Sequence, residues 1–244
     1  MTQKRIGLVL LSGGLDSTTA AAWAIADGMT VSAISFDYGQ THRRELAAAT
    51  AVAKRLRLAH NTVDVSFYRD LAAHSALTNP NKIAMPTKRD TSEMADDIPS
   101  TYVPLRNTFF LTMGAAWLES AALRAIEQDR IDPGKLEATL VIAANAIDYS
   151  GYPDCRPEYY ETIAESLRLG SKIGTQYNIP FTIATPLIAM TKADIVHLAF
   201  DLNAPIDVTW SCYDSGDTPC GRCDACGLRA KGFADAGIAD PTLG

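Results

Sequence analysis

Two short stretches of this 244-residue sequence bring reactive side chains close enough together to act as units. The first is Ser12-Gly13-Gly14-Leu15-Asp16-Ser17, which follows an apolar run and precedes a series of good helix formers. Where a strand gives way to a helix, free backbone N–H groups meet the positive helix end, so the junction can cradle an anion. Gly13 and Gly14 permit a sharp turn and close approach to a phosphate, while Ser12, Ser17 and Thr18 can add hydroxyl donors. Asp16 is out of character, because a carboxylate repels a phosphate unless a magnesium ion joins the two. A plainer reading has Ser12 or Asp16 capping the helix while the glycines shape an ordinary turn. The sequence has no G-x-x-x-x-G-K-[ST], and this turn has no G-x-G-x-x-G. Both absences count against cleavage between β and γ phosphates and against a dehydrogenase.

The second stretch holds Cys212, Cys220, Cys223 and Cys226, spaced C-x7-C-x2-C-x2-C within fifteen residues. Gly216, Pro219 and Gly221 let the chain fold back, and four thiolates so placed can surround one ion tetrahedrally. Four protein sulfurs leave no position open for water, so such a site is structural rather than catalytic. A redox dithiol and an iron–sulfur cluster are the alternatives, the latter because C-x2-C-x2-C also occurs in ferredoxin-like runs. No Cys-Pro follows, and no strand–helix unit flanks the pairs as a redox motif would need. The fifth cysteine, Cys155, stands apart, and His42, His60, His74 and His197 show no metal spacing.

The elements that must position these groups alternate. Apolar or β-rich runs at 6–11, 31–38, 62–65, 139–144 and 181–184 predict strands; helix-forming stretches at 16–26, 41–58, 107–126, 158–177 and 191–200 lie between them. This order predicts an α/β fold, a doubly wound parallel sheet with ligands at the carboxyl ends of its strands. Residues 1–205 form that domain, and 206–244 a small cysteine-bearing segment packed on it. Residues 69–106, with Pro80, Pro86, Pro99 and Pro104, read as a long irregular loop, a candidate substrate lid. A 47% hydrophobic composition supports a folded core, and a net charge of −6 argues against broad nucleic-acid binding. No apolar run approaches the roughly 18 residues of a membrane span, and no leader precedes the first strand, so a cytoplasmic location is expected.

The first stretch resembles the S-G-G-x-D-S fingerprint of the PP-loop ATP pyrophosphatases, an adenine nucleotide alpha hydrolase-like group that cleaves ATP between the α and β phosphates. Over nearly the whole chain the resemblance narrows to the 7-cyano-7-deazaguanine synthase family. It is carried by Ser12–Ser17, Phe36-Asp37-Tyr38-Gly39-Gln40, Val103-Pro104-Leu105-Arg106-Asn107, Asp148 through Pro157, and Trp210-Ser211-Cys212 through Cys226. The family's reaction joins 7-carboxy-7-deazaguanine to ammonia, first as an amide and then, after a second adenylation, as a nitrile of queuosine-type nucleoside biosynthesis. The resemblance implies that Leu11, Ser12, Gly13, Gly14, Leu15, Asp16, Ser17, Thr18, Thr19, Ala20 and Ala21, with Phe36 and Tyr38, hold ATP and its magnesium. Asp16, Ser17 and Lys192 are then the catalytic candidates, although a lysine at a helix start is ordinarily only solvated. Arg106, Asn107, Asp148, Tyr149, Asp154, Cys155 and Arg156 are the substrate-binding candidates, against capping or loop roles. One zinc ion per chain is implied at the cysteines, small molecules are the implied partners, and a homodimer is open to it. Residues 119–137, charged and broken by Pro133-Gly134, read as a surface extension longer than the family needs. Two alternatives stand beside this reading. One is a PP-loop enzyme that adenylates a tRNA base. The other is a four-cysteine finger regulator, although Arg222, Arg229 and Lys231 are balanced by Asp214, Asp217, Asp224 and Asp235.

Overall fold

The computed structural model describes residues 3–39, 44–84, 98–145, 152–213 and 216–242. Its centre is a five-stranded parallel sheet: β1 (Lys4–Leu10), β2 (Thr30–Asp37), β3 (Ala59–Asp64), β4 (Leu136–Val141) and β5 (Phe181–Ala184), in spatial order β3-β2-β1-β4-β5. The helices are α1 (Leu15–Ala26), α2 (Arg44–Leu56), α3 (Tyr68–Leu71), α4 (Arg106–Glu127), α5 (Pro157–Leu169), α6 (Lys172–Thr175), α7 (Lys192–Asp201) and α8 (Asp224–Ala236). Alternation along β1 sets the two cores. Ile6, Leu8 and Leu10 face α4 and α5, while Val9 and the following Leu11 face α1, α2 and α7. The strand order reverses between β1 and β4, so a crevice opens beyond their carboxyl ends, where doubly wound sheets take ligands.

Several expectations change. The third strand begins at Ala59 rather than Thr62; it is an edge strand with no fully buried residue, carrying Ala59, His60 and Asn61, so its sequence lacks an apolar run. The predicted 158–177 helix breaks at Gly170, and the Ser171 hydroxyl caps α6 by accepting from the Gly174 N–H. Residues 119–137 are not a surface extension. Through Glu127 they complete α4, whose Ala122, Ala125 and Ile126 are buried, and Leu136 already starts β4. Among the described helices α4 is also long and apolar enough to cross a membrane, contrary to the sequence reading; here that apolarity packs against β1 and β4. The described ends of the long 69–106 loop are anchored, with Ala72 and Val103 in the core, and its middle lies outside the described residues.

The C-terminal segment contains a helix the sequence reading did not separate. α8 packs on α7, and its Phe233 joins Ile206 in the same core as α1.

Candidate active site

The glycine-rich turn leaves β1 at Leu11 and enters α1 with no side-chain cap at Gly14. The helix N-terminus is therefore free to receive an anion rather than closed by its own serine or aspartate. Gly13 sits at φ +86°, and a Cβ there would lie 2.4 Å from the Glu45 carbonyl oxygen and 2.5 Å from the Ala49 nitrogen. Only glycine lets α2 approach the turn so closely. Within the loop the Ser12 and Ser17 hydroxyls lie 2.9 Å apart, and the Ser17 hydroxyl accepts from the Ser12 N–H at 3.2 Å. From the far end of the chain, the Trp210 N–H donates to the Gly13 carbonyl at 2.9 Å.

Asp16, in the first turn of α1, pairs with Lys192 at 2.7 Å, with side-chain exposures of 27% and 11%. A carboxylate at the uncapped start of α1 is thus balanced by an ammonium from α7. The lysine stem has room because α8 carries Gly232 beside it, where a Cβ would come within 2.2 Å of Lys192 Cγ. The cysteine segment also holds α2: Arg44 pairs with Asp217 and lies 4.9 Å over the Trp210 ring. Arg229, on α8, grips Asp240 through two bonds of 2.6 and 2.9 Å and donates to Thr209 Oγ1 at 2.9 Å.

Between these parts lies a cavity of about 350 Å³ at the carboxyl ends of β1, β2 and β4. One wall is aromatic: Phe36 stacks on Phe110 at 4.3 Å, and Tyr38 stands 5.6 Å from the same ring. Arg106 opens α4 after Leu105, which adopts a left-handed φ of 54° and provides no side-chain cap. Such strain is retained where it positions something, here a guanidinium 5.8 Å from the Tyr38 ring centre. Burial works against the Arg106 charge, but Tyr38, Tyr152, Asp154 and Tyr213 raise its pKa overall, so it stays a cation. Burial raises the Asp154 carboxyl, with Arg106 opposing, and pushes the Cys155 thiol up to about 12. Such a thiol is neutral and a poor nucleophile. Burial likewise pushes the Glu45 carboxyl up to about 7 against the pull of Arg106.

The Sγ atoms of Cys212, Cys220, Cys223 and Cys226 all lie within 4.8 Å of one another. Cys212 and Cys223 are buried, and the N–H groups of Cys220 and Cys223 donate to sulfur at 3.3 and 3.4 Å. This set can hold a metal ion, and N–H donors to sulfur are the support that metal-bound thiolates receive.

The family model described as "Queuosine biosynthesis protein QueC" matches residues 6–237. This chain belongs to the QueC family. Its relatives include 7-cyano-7-deazaguanine synthases from Thermoplasma volcanium (47% identical, over 96% of this chain and 88% of the relative), Thermosynechococcus vestitus (45%, over 98% and 95%) and Nostoc punctiforme (45%, over 97% and 98%).

Of the residues singled out in this QueC-family chain, Leu11, Ser12, Gly14, Leu15, Asp16, Ser17, Phe36, Tyr38, Arg106, Asn107, Cys155 and Lys192 line the cavity. Thr18, Thr19, Ala20 and Ala21 do not: they are buried in α1, where Ala20 and Ala21 belong to the core and Thr19 donates to the Leu15 carbonyl. Arg156 is exposed before α5 and lies outside the lining, and Asp154 is buried and outside it as well. Asp148 and Tyr149 lie outside the described residues. Sequence reading passed over Glu45, Tyr213 and Arg229, which line the cavity together with Ser35 at the end of the second strand. Ser35 donates to the Leu11 carbonyl at 2.5 Å and meets His60 Nε2 at 2.8 Å, which braces the base of the turn. No local pattern marks Glu45, which sits in a helix that reads as an ordinary amphipathic surface, or Arg229, whose helix the sequence does not set apart.

Proposed function

We propose that this chain is itself a 7-cyano-7-deazaguanine synthase, which joins 7-carboxy-7-deazaguanine to ammonia with cleavage of ATP and then dehydrates the amide to the nitrile. The observation that carries the reading is one cavity in which an uncapped phosphate cradle, the Asp16–Lys192 pair and an aromatic wall beside Arg106 meet. A carboxylate resists attack by ammonia until one of its oxygens becomes a leaving group. Attack of that oxygen on the α-phosphorus breaks the α–β bond, expels pyrophosphate and supplies the leaving group as AMP.

The N–H groups at the start of α1 and the Ser12 and Ser17 hydroxyls are proposed to receive the departing pyrophosphate, with Lys192 turning to it from Asp16. Magnesium brought with ATP would spread charge away from the phosphates, and Asp16 is the carboxylate in the cradle that would hold it. The flat deazapurine suits the Phe36–Phe110 wall, and Arg106 with Asn107 suits its carboxylate. Ammonia then displaces AMP, the amide oxygen is adenylated in turn, and loss of a second AMP leaves the nitrile carbon. The cysteine cluster fits zinc by its four sulfur donors, which would hold the C-terminal segment in place. The partners proposed are small molecules, met in the cytoplasm.

Incubation with the deazapurine acid, ammonium and Mg-ATP, followed by mass spectrometry, tests the reading. With limiting ATP the amide should accumulate, supplied amide should give nitrile without ammonia, and AMP and pyrophosphate should be the nucleotide products. Stoichiometric ADP, or an amide that is refused, overturns the repeated adenylation, because γ-transfer needs machinery this chain lacks.

A further inference from the structure

Both rounds of the proposed chemistry must shed protons from nitrogen, and the groups considered so far include no base. Ammonium loses one proton to become ammonia and another after it attacks the adenylate. The amide then loses one N–H proton when its oxygen attacks phosphorus and pyrophosphate leaves. It loses the last when the C–O bond to AMP breaks and the C≡N bond completes.

Among the described residues lining the cavity, the carboxylates are Asp16 and Glu45, and none is a histidine. Asp16 is engaged by Lys192 at 2.7 Å and, once the lysine turns to pyrophosphate, would be taken up by the magnesium proposed above. The Cys155 thiol is held neutral by burial, and burial raises Tyr38 too, so neither accepts a proton near neutrality. Glu45 differs. It sits in the first turn of α2, whose backbone is locked against Gly13, so its place beside the cradle is set by the same contact that shapes the loop. The charged and titratable groups facing it are Arg106 from α4 and Tyr38 after β2. α1 brings Asp16, already paired, and the turn at 206–208 brings Asp207, which pairs with Arg55 at 2.9 Å.

We propose that Glu45 is the proton acceptor for nitrogen in the amide- and nitrile-forming steps, with Arg106 steadying the carboxylate between proton transfers. This rests on the function proposed above. Burial that lifts the carboxyl to about 7 suits it to take a proton and release it again at neutral pH.

The test separates adenylation of the acid, which moves no N–H proton, from the steps that do. In Glu45→Gln, exchange of labelled pyrophosphate into ATP with the deazapurine acid should stay within about threefold of the parent. Single-turnover conversion of amide to nitrile should fall at least about 100-fold. At about pH 9, where free ammonia is plentiful, the variant should recover amide formation from the acid but not nitrile formation. Glu45→Asp, which keeps a carboxylate, should retain part of the nitrile-forming rate, and the parent's amide-to-nitrile rate should rise along a limb centred near pH 7. Equal losses in exchange and nitrile formation would mean that Glu45 only shapes the site. A Gln variant that makes nitrile at the parental rate, or a parental profile without the limb, overturns the assignment whether or not the variants fold. A parent that makes no nitrile at all from acid or amide overturns the function reading itself, a separate and recognisable outcome.

Discussion

The Asp16–Lys192 pair changes how the carboxylate in the phosphate cradle is understood. From sequence it called either for magnesium or for a plain capping role, whereas in the fold it is balanced by a lysine 176 residues away. Asp16→Asn keeps the shape and loses the charge. Since the pair is partly solvated, stability should drop by about 1 kcal/mol or less while pyrophosphate exchange collapses, readable by comparing melting with exchange rate. A folded variant with normal exchange would return Asp16 to a passive role. Glu45 makes a second prediction at this scale, independent of turnover. Its folded pKa of about 7 lies above the unfolded value of 4.5, so the folded chain keeps a proton that the unfolded chain has released. The carboxyl therefore weighs against the folded state increasingly as pH rises from about 4.5 to 7. Glu45→Gln should be more stable than the parent by on the order of 1 to 3 kcal/mol at about pH 8, and the gap should close toward about pH 4. Urea titrations at the two pH values give that difference, and a gap that does not change with pH counts against the buried acid.

At the scale of elements, two glycines let helices converge on the site. A Cβ at Gly13 would meet the backbone of α2, which cannot yield as a side chain can. Gly13→Ala should therefore cost more than about 2 kcal/mol and abolish nucleotide binding, measured by denaturation and by calorimetry with ATP. At Gly232 the obstacle is the Lys192 stem, so Gly232→Ala should spread α7 from α8 and draw Lys192 away from Asp16. A fall in kcat of tenfold or more with a modest change in Tm is expected; the reverse pattern would make Gly232 a packing residue alone. The cysteine segment acts through such contacts as well, because Trp210 and Arg44 tie it to Gly13 and α2.

At the scale of the molecule, the chain after residue 205 completes the core rather than decorating it. Ile206 and Phe233 are buried among α1 and α7 residues, so a chain ending at 205 would expose an apolar face and lose the Gly13 bond from Trp210. Such a truncation should show no cooperative thermal transition. Cys223→Ser in the full chain should lose the metal, measured as zinc by mass spectrometry, and melt earlier. A soluble, cooperatively melting 1–205 fragment would show that the first 205 residues stand alone. Iron and sulfide in the purified protein would replace zinc with a cluster.

What could be read along the chain was what depends on neighbours along the chain. The candidate phosphate turn fits within Ser12–Ser17 and the four cysteines that could hold a metal within Cys212–Cys226, because each pattern needs only a few residues of the right type at a fixed spacing. Strand and helix order followed from periodicity, and with it the parallel sheet and the end that takes ligands. Periodicity failed at β3, a half-exposed edge; it did predict the helix over 107–126, but the charged residues from Glu119 onward hid that the last turns of that helix have a buried face. Only the tertiary structure decided which distant charges meet. Lys192 reaches Asp16, and Arg106 comes over Tyr38 within electrostatic reach of Glu45, because four helices close on one crevice. Sequence spacing carries no record of that crevice. Burial there lifts the Glu45 carboxyl, and desolvation is a property of the folded surroundings rather than of the residue.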